Sequence, residues 1–167
     1  EAPYLAILYA SFNEIASVPE ALFRHQGIVN LDLSTNNITH VPEMDMTRLM
    51  YFHLSNNSLP ALPESLFDQK YIATLNVNGN RLTALPANVG TLDKTLNIFG
   101  ASRNNLTSLP TSFRKLGKLN VLDIRNNSFA RLPDWLGELE SLTYLTVAGN
   151  PLCRNGWVGS GKIGELM

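Results

Sequence analysis

Seven asparagines, Asn13, Asn36, Asn57, Asn80, Asn104, Asn127 and Asn150, cut the chain into intervals of 23, 21, 23, 24, 23 and 23 residues. Each stands at the same point of a recurring phrase, written most fully from Leu119 to Leu142 as LNVLDIRNNSFARLPDWLGELESL. Self-similarity at this period implies stacked units, none of which can bury its apolar face without a neighbour. The phrase itself says what each unit contains. Leu122 and Ile124 alternate with Val121, Asp123 and Arg125, the period-two mark of a short strand with one buried face. Leu31 and Leu33, or Leu75 and Val77, fill the same slots in other units. The Asn falls where the chain leaves the strand, and its amide both donates and accepts. A stack of such amides can therefore satisfy backbone groups that the turn leaves unpaired. An unpaired buried group costs about 1–3 kcal/mol, which is a physical reason to repeat Asn at that slot.

The spacing LxxLxLxxNxLxxLP, carried by Leu119, Leu122, Ile124, Asn127, Phe129, Leu132 and Pro133, resembles the leucine-rich repeats. The resemblance runs from Leu5 to Leu152 in seven copies in register. It implies an α/β leucine-rich repeat solenoid, curved, with a concave parallel β-sheet of about seven strands and short helical or extended segments on the convex side. Parallel strands joined by full crossovers agree with strand segments recurring at this interval. One domain spanning 1–167 is expected, with repeats starting near 5, 28, 49, 72, 96, 119 and 142 and a partial C-terminal cap over 153–167. Within that cap Trp157 is expected to cover the last repeat's apolar edge. Repeat two is two residues short after Pro42, so Met44 or Met46 must replace the usual leucine pair and the convex side should be thin there. In repeat five Gly100 points outward, which would let another backbone or a ligand approach closely.

Apolar residues make up 44% of the chain and charged ones 16%, enough for a continuous core and too little charge for a disordered tail. A net charge of −1 gives no reason to expect nucleic acid as a partner. The charge is unevenly placed: residues 1–68 carry 8 acidic and 2 basic side chains, −6, and residues 69–167 carry 6 and 11, +5. No apolar run approaches the roughly 20 residues of a membrane span, so this segment is not expected to insert into a membrane. The chain has no initiating Met and no signal-peptide pattern, and reads as a mature chain or a piece of a longer one.

Catalysis requires convergent groups. His53 belongs to the third strand and Cys153 follows the seventh, so at about 4.8 Å per strand they stand roughly 19 Å apart. His25 and His40 fall in turn or convex segments. No phosphate-cradling glycine loop, metal-ligand spacing or carboxylate pair appears, so neither an enzyme nor a cofactor is expected. Cys153 is either a small half-buried hydrophobe or, in a secreted chain, half of a disulfide; the string NPLC is similar to the start of the disulfide-bonded cap of extracellular leucine-rich repeat domains, whose later cysteines are absent here. Asn37, Asn56, Asn105 and Asn126 begin N-x-Ser/Thr sequons and flank ladder asparagines, which makes them candidate glycosylation sites. Trp135 either packs against the neighbouring convex segment or anchors a partner there, beside the basic Arg114, Lys115 and Lys118.

The expected binding surface is the concave face. Its candidate residues are Tyr9, Asp32, Tyr51, His53, Asn76, Asn78, Arg103, Asp123, Arg125 and Tyr144. Ser11, Ser34, Gly100, Ser102 and Thr146 also point outward, and the small slots Asn76, Asn78 and Gly100 are expected to leave a shallow trough between the larger groups. Tyr51, Arg103, Arg125 and Tyr144 are the expected anchors, and His53 would add pH dependence. A protein or peptide ligand is thus the expected partner. The arrangement resembles plant and oomycete receptor-like ectodomains, which implies an extracellular or cell-surface location. An intracellular, cytoplasmic signalling scaffold is the alternative, and a repeat segment attached to a kinase is compatible with either.

Overall fold

The computed structural model describes residues 2 and 4–153; Trp157 and the cap expected over 153–167 lie, apart from Cys153, outside them. Seven three-residue strands, β1 (Ile7–Tyr9), β2 (Asn30–Asp32), β3 (Tyr51–His53), β4 (Thr74–Asn76), β5 (Ile98–Gly100), β6 (Val121–Asp123) and β7 (Tyr144–Thr146), form one parallel sheet in sequence order. The register never slips: Leu8, Leu31, Phe52, Leu75, Phe99, Leu122 and Leu145 align across the sheet. Backbone pairing continues past each strand. Leu33 N–H donates to His53 O at 2.8 Å and Thr35 N–H to Ser55 O at 2.7 Å, and the same two bonds recur along the stack.

The chain then turns inward through one left-handed residue in every repeat. Phe12, Thr35, Asn56, Arg103 and Asn126 have φ between 52° and 58°, and Gly79 and Gly149 have 64° and 77°. This conformation places Cβ against the following carbonyl and costs a non-glycine residue about 1–2 kcal/mol, so the surrounding pairing must hold it. The ladder Asn comes next and does much of that holding. Asn80 Nδ2 donates to Leu54 O of the preceding repeat and to Val77 O of its own, both at 3.0 Å, while its Oδ1 accepts the Leu59 N–H at 3.0 Å. The pattern repeats at Asn36, Asn57, Asn104, Asn127 and Asn150. Asn13 differs: it is exposed, and among the described residues its side-chain amide donates only to Ala10 O and Ser11 O within its own turn.

On the convex side the crossovers contain single 3-10 turns at Glu20–Arg24, Glu64–Asp68, Val89–Leu92, Thr111–Lys115 and Asp134–Glu138. Pro19, Pro63, Pro110 and Pro133 stand immediately before four of them, where a fixed φ is helpful and an N–H is not needed. Tightly spaced strands on one side and bulkier turns on the other bend the stack around the sheet face. Between the layers lies a continuous core that includes Phe23, Phe52, Phe67, Phe99, Phe113 and Phe129. Phe23 meets Phe52 edge-on at 6.3 Å, and Phe99 meets Phe113 at 5.6 Å.

Repeat two, the short one, has no 3-10 turn, and both Met44 and Met46 are buried. Its extended backbone is paired from the next repeat: Gln69 Oε1 accepts Met46 N–H at 2.7 Å, Gln69 Nε2 donates to Met44 O at 3.2 Å, and Ser65 Oγ accepts Met44 N–H at 2.9 Å. Gln69 is buried where Leu116 and Leu139 stand in later repeats. A glutamine there replaces apolar packing with the partners that a missing helical turn would otherwise leave without.

Candidate functional site

Strand alternation sends three lanes of side chains to the face opposite the core. The first holds Ile7, Asn30, Tyr51, Thr74, Ile98, Val121 and Tyr144, and the second Tyr9, Asp32, His53, Asn76, Gly100, Asp123 and Thr146. The third, in the paired residues beyond each strand, runs Ser11, Ser34, Ser55, Asn78, Ser102, Arg125 and Ala148. The lanes differ chemically. The first is mainly aliphatic and aromatic, the second mixed polar, and the third mostly small hydroxyls.

Of the residues expected from the sequence, Tyr51 and Tyr144 lie in the first lane, Tyr9, Asp32, His53, Asn76 and Asp123 in the second, and Asn78 and Arg125 in the third. Arg103 lies in none, being the left-handed residue after Ser102, at the rim. Five first-lane positions, Ile7, Asn30, Thr74, Ile98 and Val121, are absent from that expected list. The signal for them was available: Tyr51 and Tyr144 precede the first consensus apolar residue of their strands, and the same offset in the other repeats selects these five.

The trough expected around Gly100 is filled. A Cβ built on Gly100 would lie 3.0 Å from Asn76 Oδ1 and 3.0 Å from both terminal atoms of Asn78. Asn78 Oδ1 accepts the Ser102 N–H at 2.7 Å, and Asn76 Oδ1 accepts the Asn78 N–H at 3.2 Å. Both amides therefore lean across the glycine, and Gly100 and Ser102 are buried beneath them. Gly100 makes room for its neighbours' side chains and leaves none for a ligand.

Arg125 is also committed. Its Nε and its terminal nitrogen donate to Asp123 Oδ1 and Oδ2 at 3.0 and 2.9 Å, while Asp123 Oδ1 also accepts Arg125 N–H at 3.1 Å and Thr146 Oγ1–H at 2.8 Å. Burial pushes the Asp123 carboxyl up, but the hydrogen bonds from Arg125 and Thr146 outweigh it and hold the group below its ordinary value; the same contact raises Arg125. The pair forms a neutral clasp at the end of β6, and the Thr146 hydroxyl ties it to β7. Asp32 is a contrast, for its Oδ1 accepts only the Ser34 N–H at 2.9 Å and it joins no ion pair among the described residues. Beside it Asn30 Nδ2 donates to the Tyr9 hydroxyl at 3.2 Å, fixing that ring over β2.

Elsewhere, Trp135 is half-buried and packs against the core, and Arg114 donates twice to Glu138 Oε2, at 2.8 and 3.2 Å. A shallow cleft lined by Thr107, Leu109, Arg131 and Pro133 opens off the sheet. Asn37, Asn56, Asn105 and Asn126 are exposed. Among the described residues no three His, Cys, Asp or Glu side chains converge on a point, and no helix is long and apolar enough to cross a membrane.

Residues 94–152 match the family model described as leucine rich repeat. Over 71 residues, 40% of this chain, the sequence is 46% identical to transforming growth factor beta activator LRRC32 of Mus musculus, and the match spans only 10% of that protein. Among solved structures, a leucine-rich repeat protein of Leptospira interrogans superposes with a TM-score of 0.85 at 28% identity, covering 88% of this chain and 38% of that one. The plant peptide hormone receptor RGFR1, solved with RGF2, superposes with a TM-score of 0.80 at 26% identity, over 87% of this chain and 25% of that one. Seven in-register strands in one open sheet, an asparagine ladder and these likenesses lead to one conclusion: the chain folds as a leucine-rich repeat solenoid, and its residues 94–152 carry the leucine rich repeat signature itself.

Proposed function

We propose that this chain recognises a protein or peptide ligand through the concave sheet face, as the ligand-binding repeat domain of a cell-surface receptor-like or secreted protein. One observation carries the reading: the first lane leaves Ile7, Tyr51, Ile98 and Tyr144 exposed in line across the sheet, with Tyr9 beside them. Apolar and aromatic groups so aligned are costly to leave in water and are the groups in which interface energy concentrates. Similarity to a plant receptor solved with its peptide hormone supports a peptide ligand, and similarity to a growth-factor activator supports a place outside the cell.

The test is selection of binders from a displayed random-peptide library, followed by alanine variants. Tyr51→Ala and Tyr144→Ala should each weaken the selected binders by about 1–3 kcal/mol, while Arg114→Ala and Lys115→Ala should mainly change salt dependence. Binders that ignore the tyrosines and are lost with Trp135→Ala would move the site to the convex side. Location has its own test. Secreted from eukaryotic cells, the chain should gain glycosidase-sensitive mass, first at Asn37 and Asn105. At Asn56 and Asn126 the Oδ1 sits over Gly79 and Gly149, within 2.4 and 2.0 Å of where a Cβ would be. Bare Asn37 and Asn105 in efficiently secreted protein would remove this support for an extracellular site.

A further inference from the structure

The first lane is not uniform. Ile7, Tyr51, Ile98 and Tyr144, on β1, β3, β5 and β7, are 54%, 40%, 39% and 66% exposed, while the strands between carry the smaller, half-buried Asn30, Thr74 and Val121. The surface is thus a series of apolar ridges with notches between them. Adjacent notches are two strands apart, about 9.6 Å at roughly 4.8 Å per strand.

A ligand crossing the strands must offer side chains at that interval. A fully extended peptide sends alternate residues to one side, about 6.8 Å apart, so it falls out of step after one notch. A polyproline II helix has three residues per turn and a rise of about 3.1 Å, so every third side chain returns to the same side after about 9.3 Å. That matches the notch spacing within a few tenths of an ångström. It is also a conformation stiff enough before binding to lose little entropy on an aromatic-lined surface.

The three notches differ in chemistry. Val121 makes an apolar floor and Thr74 a small one. The notch at Asn30, between Ile7 and Tyr51, lies beside the Asp32 carboxylate, and the Tyr9 ring next to Asp32 leans toward it with its hydroxyl accepting from Asn30 Nδ2. Among the described residues no cation pairs with Asp32, and the first 68 residues carry a net −6. A guanidinium fits this notch by charge and can lie against a tyrosine face.

We propose that the concave face binds a proline-rich segment in the polyproline II conformation, with apolar side chains at two positions three residues apart entering the Val121 and Thr74 notches and an arginine three residues further reaching Asp32. This deepens the peptide-recognition reading and rests on it, adding the ligand's conformation, its spacing and the end that carries charge.

Two fluorescein-labelled probes test it, Leu-Pro-Pro-Leu-Pro-Pro-Arg and its sequence reversal, since the lanes leave backbone direction open. The alternating peptide Leu-Thr-Leu-Thr-Leu-Thr-Arg is the control, and fluorescence anisotropy is the readout. One proline probe should bind at least about tenfold tighter than the control, and Tyr51→Ala should weaken it about tenfold. Asp32→Asn and arginine to glutamine in the probe should each weaken binding about fivefold and abolish its salt dependence, with no further loss when combined. These side chains are outside the core, so circular dichroism should show all variants folded. Tighter binding of the control would overturn the proposed conformation while leaving peptide recognition intact. So would failure of both proline probes beside library-selected binders that still depend on Tyr51. Proline-probe binding indifferent to Asp32→Asn would overturn the assigned charged end.

Discussion

At the residue scale the stack is held by side chains that complete the backbone. Asn80 serves two repeats at once, accepting from Leu59 and donating to Leu54 and Val77, and it is buried. Asn80→Leu should lower stability by about 3 kcal/mol, since several buried partners lose their bonds together, while Asn105→Leu on the surface should stay within about 0.5 kcal/mol. Chemical denaturation reads both, and equal midpoints would refute the ladder's role. Asn88 would be a poorer surface control, because it is half-buried and bonds to Glu64 O and Asp68. A pH dependence also belongs here. Asp123 titrates below its ordinary 3.8 in the folded chain, so as pH falls the unfolded chain takes up the proton first. The clasp therefore contributes stability above about pH 4 and loses it as pH falls through the lower folded value. Asp123→Asn should flatten that part of the acid limb in urea titrations from pH 5 to 2. An unchanged slope would mean that the clasp does not contribute.

Elements were legible to different degrees. The period, the strand positions and the ladder could be read directly, because a two-residue alternation and a repeated Asn report on backbone needs that every repeat shares. What escaped depends on side chains from different units meeting. Asn76 and Asn78 closing over Gly100 is one case, and the Arg125 clasp on Asp123 another, although two residues on one strand face are always candidates for contact. Gln69 is the clearest case, for nothing local to the stretch LPESLFDQK marks its position as buried; the cause lies in the two residues missing from the previous repeat. Gln69→Leu should therefore destabilise the chain by about 2 kcal/mol despite matching Leu116 and Leu139 at that slot, since Met46 N–H and Met44 O lose their partners. A stabilising Gln69→Leu would show that burial outweighs pairing there. The outward lanes were legible only in part, since alternation marks the outward face without saying how far each strand runs toward its start.

Over the whole molecule, each strand pairs only with its sequence neighbours, so stability should be graded along the stack. Leu31, Phe52, Leu75, Phe99 and Leu122 are fully buried, but Leu8 on β1 and Leu145 on β7 are only partly so. Amide hydrogen exchange should be slowest in β3 to β5 and fastest in β1, and uniform protection would show a single cooperative unit instead. The ridge-and-notch lane adds a constraint of another kind. Its relief recurs every second strand while the chain repeats with every strand, so this surface has twice the period of the fold. Duplicating one repeat within the stack would preserve every hydrogen bond of the ladder yet put the notches on its two sides half a cycle out of step. Duplicating two would keep them in phase. The fold can be lengthened one unit at a time, whereas its surface pattern can grow only in pairs.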